Sequence, residues 1–312
     1  MGTIALILCF GVVIWVLLWS TLQKGGQTPP GPTGLPVLGY LPFMGSRPHL
    51  LLQKLAKIYG SIFSLRLGSQ NLIILDDLSF VKKILLQQRL LDETPEEEMK
   101  DNFRFLDYIN CQIQQTIIEW LLLAMATYKD VHQKIHEATK ETRNNWLSIK
   151  YPQLSHTHTI IKGQRSTLTY VKAAILELLR WRPPFPLGIL GVTRTDIVLD
   201  GYFIPKESLM IANTWSILHD VECWGDDADA YNPERFLNQK GNLKAECLLS
   251  LFTGKNLQLN RNIVQPDMLR NFLSILHKFN ISLFDGKSSD MEGELFMRLV
   301  PKEQELILTI RN

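Results

Sequence analysis

From Ile4 to Leu22 the chain reads IALILCFGVVIWVLLWSTL, without one charged residue. A helix of that length crosses the hydrocarbon core of a bilayer, which takes about 20 apolar residues. The run is longer than the apolar part of a secretory signal and lacks a basic segment before it, so an uncleaved membrane anchor is expected over 1–23. Lys24 follows the span and no Lys or Arg precedes it, which by the positive-inside rule sets the rest of the chain in the cytosol. The sequon Asn280, Ile281, Ser282 is then expected to stay unglycosylated. Everything beyond this point has to fold while tethered to a membrane.

The next stretch, TPPGPTGLPVLGYLPF, sets Pro29, Pro30, Pro32 and Pro36 among glycines. Proline locks φ and has no N–H to donate, so a stiff extended hinge without helix is expected over 24–46, with a folded domain over 47–312. The 312 residues are 46% hydrophobic and 21% charged, enough for one large core or two smaller ones. A formal charge of +2 gives no electrostatic case for nucleic acid. Cys9, Cys111, Cys223 and Cys247 show no CxxC spacing and read as reduced thiols, each packed as a small apolar side chain.

Periodicity divides the remainder. A short helix is expected at about 48–58, then two strands, SIFSLRLG and NLIILDD, joined by a tight turn, then a helix over 78–90. LDETPEEEMKDN is acidic and broken by proline, and reads as a linker or solvated turn. From Phe105 to Glu141 apolar periodicity returns and becomes more polar, predicting two helices that part near Thr127 to Asp130. RNNWLSIKYPQLSHTHTIIKG reads as irregular. Residues 167–182 form a helix that Pro183 and Pro184 stop. Strands are expected at 189–199, 202–204 and 208–212, a helix at 265–278 and paired strands at 294–310.

Within LELLRWRPP, residues 176–184, Glu177 and Arg180 stand one helical turn apart among leucine and tryptophan. Such a pair alone says little, because many exposed helices carry one and it stabilises by only tenths of a kcal/mol. Its company is specific. ELLR at 177–180, GYFIPK at 201–206, HDVECWGDD at 219–227 and NPERF at 232–236 follow one another in the order and spacing of a cytochrome P450. The anchor, the proline hinge and LAKIYGSIFSLRLGSQ likewise resemble the microsomal members of that family. The resemblance implies a mainly α fold with a small β-sheet portion (α+β), shortened relative to the family. It also implies that Glu177, Arg180 and Arg235 form a buried charge network that holds the ExxR helix to the segment carrying PERF.

Family membership implies haem, electrons from NADPH through a cytochrome P450 reductase, and monooxygenation of a lipophilic substrate at the endoplasmic reticulum. The residues that serve the haem in the family have other identities here. The axial cysteine belongs to a loop of the form FxxGxRxCxG, whose counterpart LFTGKNLQLN keeps Gly254 and Lys255 but places Gln258 at the cysteine position. A thiolate is required there because its electron donation drives O–O cleavage. An amide oxygen does not fill a soft-ligand site. The oxygen-activating acid and alcohol of the central helix correspond to Gln112 and Ile113, and the His-Arg pair for the haem propionates to Gly191 and Val192. Across residues 91–108 the chain passes directly to the central helix, without the family's middle helices.

No catalytic or metal-ligating residue is therefore assigned. The expected outcome is a scaffold without the family's chemistry, or, as the alternative, a non-catalytic binding or regulatory protein whose partner is a lipophilic small molecule or another protein. Other constellations add nothing. His132 and His136 are four apart, but Gln133 stands where a zinc protease needs Glu, and the pair reads as a solvated polar face. Gly286-Lys287-Ser288 lacks the leading glycine of a phosphate loop.

Overall fold

The computed structural model describes residues 11, 28–87, 91–92, 103–140, 169–244, 266–284, 289–295 and 298–311. They belong to two compact units, Met1–Thr94 with Ile189–Asn213, and Pro95–Gly188 with Thr214–Asn312.

In the first unit the proline segment lies along the first strand, where Ser64 N donates to Pro30 O at 2.8 Å and Ser64 Oγ to Pro29 O at 2.8 Å. Of the hinge expected over 24–46, the described residues 28–34 carry no regular structure. Leu35 and Gly39 then close a tight turn, and Leu41–Phe43 forms a 3-10 turn. Proline is compatible with the first turn of a helix, where its missing N–H would have had no partner. Gly39 has φ 61°, and a Cβ there would stand 2.1 Å from Arg66 O, so only glycine fits.

Helix α1 (Pro48–Tyr59) begins on proline, buries His49, Leu52, Leu55 and Ala56, and stops at Gly60, φ 96°. Strands β1 (Ile62–Leu67) and β2 (Gln70–Leu75) form the expected antiparallel hairpin. Helix α2 (Leu78–Leu86) is capped by Asp77 Oδ1, which accepts from Ser79 N at 2.6 Å. The remaining strands are β3 (Leu91–Asp92), β4 (Gly188–Thr193), β5 (Ile197–Leu199), β6 (Tyr202–Ile204) and β7 (Leu209–Ala212). One sheet has the order β1-β2-β7-β4-β3, with β7 parallel to β2, and β5 and β6 form a separate hairpin. Asp200 (φ 53°) and Gly201 (φ 82°) make its two-residue turn, the left-handed pair that matches strand twist.

The second unit is built on helix α3 (Phe103–Thr127), separated from α4 (Lys129–Lys140) at Tyr128, as the periodicity predicts. Helix α5 (Thr169–Trp181) carries the ExxR sequence and is buried on nearly every side. Short helices α6 (Thr214–Leu218) and α7 (Val221–Trp224) and a 3-10 turn over Pro233–Phe236 follow. Helix α8 (Pro266–Lys278) runs into β8 (Phe279–Leu283), and β9 (Glu294–Leu295), β10 (Leu299–Val300) and β11 (Leu306–Ile310) complete the unit.

The 294–310 region was expected to pair with itself. Only β9 and β10 do so, whereas β11 pairs with β8, a strand the helical period of the preceding segment hides. Five residues are too few for an alternation to stand out, and pairing with a partner more than 20 residues away decides the outcome. The linker at 93–102, the irregular stretch at 141–168 and the loop holding Gln258 lie outside the described residues. So does the segment expected to be an anchor, apart from Gly11. No helix among the described residues is long and apolar enough to cross a membrane.

Candidate functional site

The burial of α5 creates the central electrostatic problem of the second unit. Glu177 and Arg180 have side chains that are 0% exposed, and a charge in that position has to be satisfied completely. Arg180 uses its whole fork. Its Nε donates to Glu177 Oε2 at 2.7 Å, and Nη2 donates to Glu177 Oε1 at 2.8 Å and to Ala230 O at 3.1 Å. Nη1 donates to Leu218 O at 2.7 Å and to Ala228 O at 2.8 Å. Glu177 Oε1 also accepts from Asn232 N at 3.0 Å and from Arg235 Nε at 3.3 Å. Arg235 donates onward to Trp224 O and to Asp227 O, and pairs with the Asp227 carboxylate at 3.0 Å. Hydrogen bonds from Asn232, then from Arg235, hold the Asp227 carboxyl below its usual range. The three residues singled out from the sequence thus meet, and their partners are mostly backbone carbonyls of 218–230. This network ties a helix to a coil segment.

Two further arginines shape the unit, and sequence reasoning missed both. Arg182, just after α5, lies 3.8 Å over the Trp181 ring, with Trp215 and Trp120 at 5.5 and 5.9 Å, while its Nε donates to Met291 O at 2.6 Å. Burial lowers its pKa to about 10, so it remains charged at neutral pH. The signal was WRPP itself, a cation set beside an aromatic ring at a helix end. Trp215 also stacks on His219 at 4.0 Å, and burial pushes the His219 pKa down to about 4. His219 Nδ1 lies 2.9 Å from Trp215 O, and among the described residues its Nε2 has no hydrogen-bond partner. The second arginine, Arg298, precedes β10. Its Nε donates to Thr116 Oγ1 at 2.6 Å and its Nη2 to Gln112 Oε1 at 2.8 Å. One turn further along α3, Trp120 Nε1 donates to Leu299 O at 3.0 Å. No spacing rule links 112 and 116 to 298.

Two sequence readings are corrected. His132 and His136 are not a solvated face, because His132 is buried, His136 is half-buried, and Arg311 from the chain end contacts both. Burial, then the Arg311 charge, lowers the His132 pKa. Tertiary contact with the C-terminal strand, invisible to helix periodicity, covers them. Cys111 and Cys223 are exposed rather than packed. Cys9 and Cys247 lie outside the described residues. No cluster of three potential metal ligands occurs among the described residues.

The family model for cytochrome P450 matches residues 29–108 and 115–256. The chain belongs to the cytochrome P450 family. It is 32% identical to cytochrome P450 1A5 of Gallus gallus over 180 residues, 56% of this chain and 32% of that protein. Cytochrome P450 2U1 of Homo sapiens is 28% identical over 264 residues, 76% of this chain and 46% of that protein. Cytochrome P450 1A1 of Opsanus tau is 24% identical over 288 residues, 89% and 53% respectively. The chain thus spans about a third to a half of these curated relatives. A zebrafish cytochrome P450 solved with abiraterone superposes with TM-score 0.60 at 16% identity, covering 85% of this chain and 100% of that one, which establishes the fold. This P450 is mainly α with a small β portion, as expected.

At the described positions that the sequence reading aligns with haem-serving residues, the side chains do not fit that role. Gln112 is a neutral amide whose oxygen is taken by Arg298, and Ile113 is hydrocarbon at 2% exposure. Neither can hold or pass a proton as an acid and alcohol would. Gly191 and Val192, on β4, carry no cation.

Proposed function

We propose that this P450 is a non-catalytic binding or regulatory protein, anchored at the endoplasmic reticulum membrane through 1–23 with its folded part facing the cytosol. The reading rests on the sequence comparison that aligns Gln258 with the family's axial cysteine. A neutral amide supplies no thiolate charge to drive oxygen cleavage. Gln112 and Ile113, aligned by sequence with the family's acid and alcohol, support it, while Glu177, Arg180 and Arg235 keep the scaffold's charges. The family's reaction, haem-dependent monooxygenation with electrons from a reductase, is what this chain is proposed not to perform. Its occupant is instead a lipophilic small molecule or a protein.

The test is a haem titration of the full chain in detergent, with the reduced carbon-monoxide difference spectrum recorded. No stoichiometric haem and no thiolate band are expected from the folded protein. One haem per chain with the strongly red-shifted thiolate band would mean that another cysteine ligates iron, and the reading would fall.

A further inference from the structure

We propose that Arg298 is a carboxylate-binding residue, presented on the face of α3 by Gln112 and Thr116. A guanidinium has two edges that can take an oxyanion with paired, parallel hydrogen bonds: the side edge, Nε with Nη2, and the end edge, Nη1 with Nη2. Thr116 Oγ1 and Gln112 Oε1 occupy the side edge, at 2.6 and 2.8 Å. The end edge is open, because among the described residues Nη1 has no partner and no carboxylate pairs with Arg298.

The fork is held before anything binds. Thr116 is 0% exposed, and its hydroxyl donates to Gln112 O at 3.0 Å, which leaves its lone pairs for Arg298. The neighbouring backbone is fixed from two directions, since Leu299 O accepts from Trp120 Nε1 at 3.0 Å and Leu299 N donates to Pro184 O at 2.9 Å. A half-buried arginine ordinarily loses side-chain freedom when it closes on a ligand. Here two bonds hold the side chain and two more fix the adjacent backbone at Leu299, so the ligand gains the interaction with most of that cost already met. Both side-chain acceptors are neutral, so among the described residues no carboxylate compensates the guanidinium at close range. A planar monoanion matches one guanidinium in charge and geometry, whereas a phosphate dianion would want a second cation. Every group in the arrangement belongs to the second unit, and the proposal does not depend on whether the chain binds haem.

The test uses the full chain in non-ionic detergent, titrated by calorimetry at constant ionic strength with benzoate, benzamide and inorganic phosphate. Benzoate is expected to bind about tenfold more tightly than benzamide, the same ring without the charge, which is the factor one charge-assisted bidentate contact supports. Arg298→Gln is expected to remove that preference, and Arg298→Lys, a point charge without the fork, to keep only part of it. Equal binding of benzoate and benzamide, no benzoate binding, or undiminished benzoate binding in Arg298→Gln would each overturn the proposal. Phosphate binding as tight as benzoate would show a site for any oxyanion and overturn the carboxylate assignment. Should Arg298→Gln not fold, the unmodified protein with the three probes and Arg298→Lys still decide the matter.

Discussion

Replacing Arg180 by methionine removes the guanidinium and keeps most of the apolar stem. Glu177 would then be a carboxylate at 0% side-chain exposure, with Asn232 N and Arg235 Nε left as its donors among the described residues. Stranding one member of a buried ion pair costs about 3–5 kcal/mol. The carbonyls of Leu218, Ala228 and Ala230 also lose their donor, each adding about 1 kcal/mol where water does not reach. A total of about 6–8 kcal/mol, against a slope of about 3 kcal/mol per molar urea, moves the unfolding midpoint down by roughly 2 to 2.5 M. Urea titration of the full chain followed by tryptophan fluorescence reads this directly, because Trp181 and Trp224 adjoin the network. The double variant Glu177→Leu/Arg180→Met removes both charges together. It should be more stable than the sum of the two single costs implies, by at least about 1 kcal/mol, since contacting groups couple. A cost below about 1 kcal/mol for Arg180→Met, or strict additivity in the cycle, would refute the argument that charge burial sets the magnitude.

The pH dependence follows from His219, whose folded pKa of about 4 lies below the ordinary 6.5. The unfolded chain takes up the proton first, so the contribution is full above pH 6.5 and drains away as pH falls toward 4. It amounts to about 3 kcal/mol, and replacing His219 by glutamine should flatten the denaturation midpoint across that window; an unchanged slope would contradict it. Gly39→Ala should cost about 2 kcal/mol or more, because it combines a left-handed φ with backbone overlap at Arg66 O. Gly45→Ala, at φ 62° with nothing within 4 Å, should cost only about 1 kcal/mol, and equal melting points for the two variants would contradict the overlap argument. Trp120→Phe loses the bond to Leu299 O and should lower stability by about 1 kcal/mol, with a neutral result counting against that bond as a fastening of the β9–β10 hairpin.

The amino-acid sequence by itself determined the elements whose signal is local. The ELLR helix ends where Pro183 and Pro184 forbid it to continue, α3 and α4 part at Tyr128 where apolar periodicity lapses, and the β1–β2 hairpin lies between turn residues. It also named Glu177, Arg180 and Arg235 as one group, because three motifs in a fixed order carry more information than any charge pair alone. What it could not supply is which distant groups meet. β8 pairs with β11 across more than 20 intervening residues, Arg311 covers His132 and His136 from the chain end, and Arg182 settles among Trp120, Trp181 and Trp215. Arg298 acquires its meaning only from Gln112 and Thr116, more than 180 residues earlier. Periodicity and capping are properties of neighbouring residues and can be read along the chain, whereas the satisfaction of a buried or half-buried charge depends on donors and acceptors that only the folded chain brings within 3 Å, roughly.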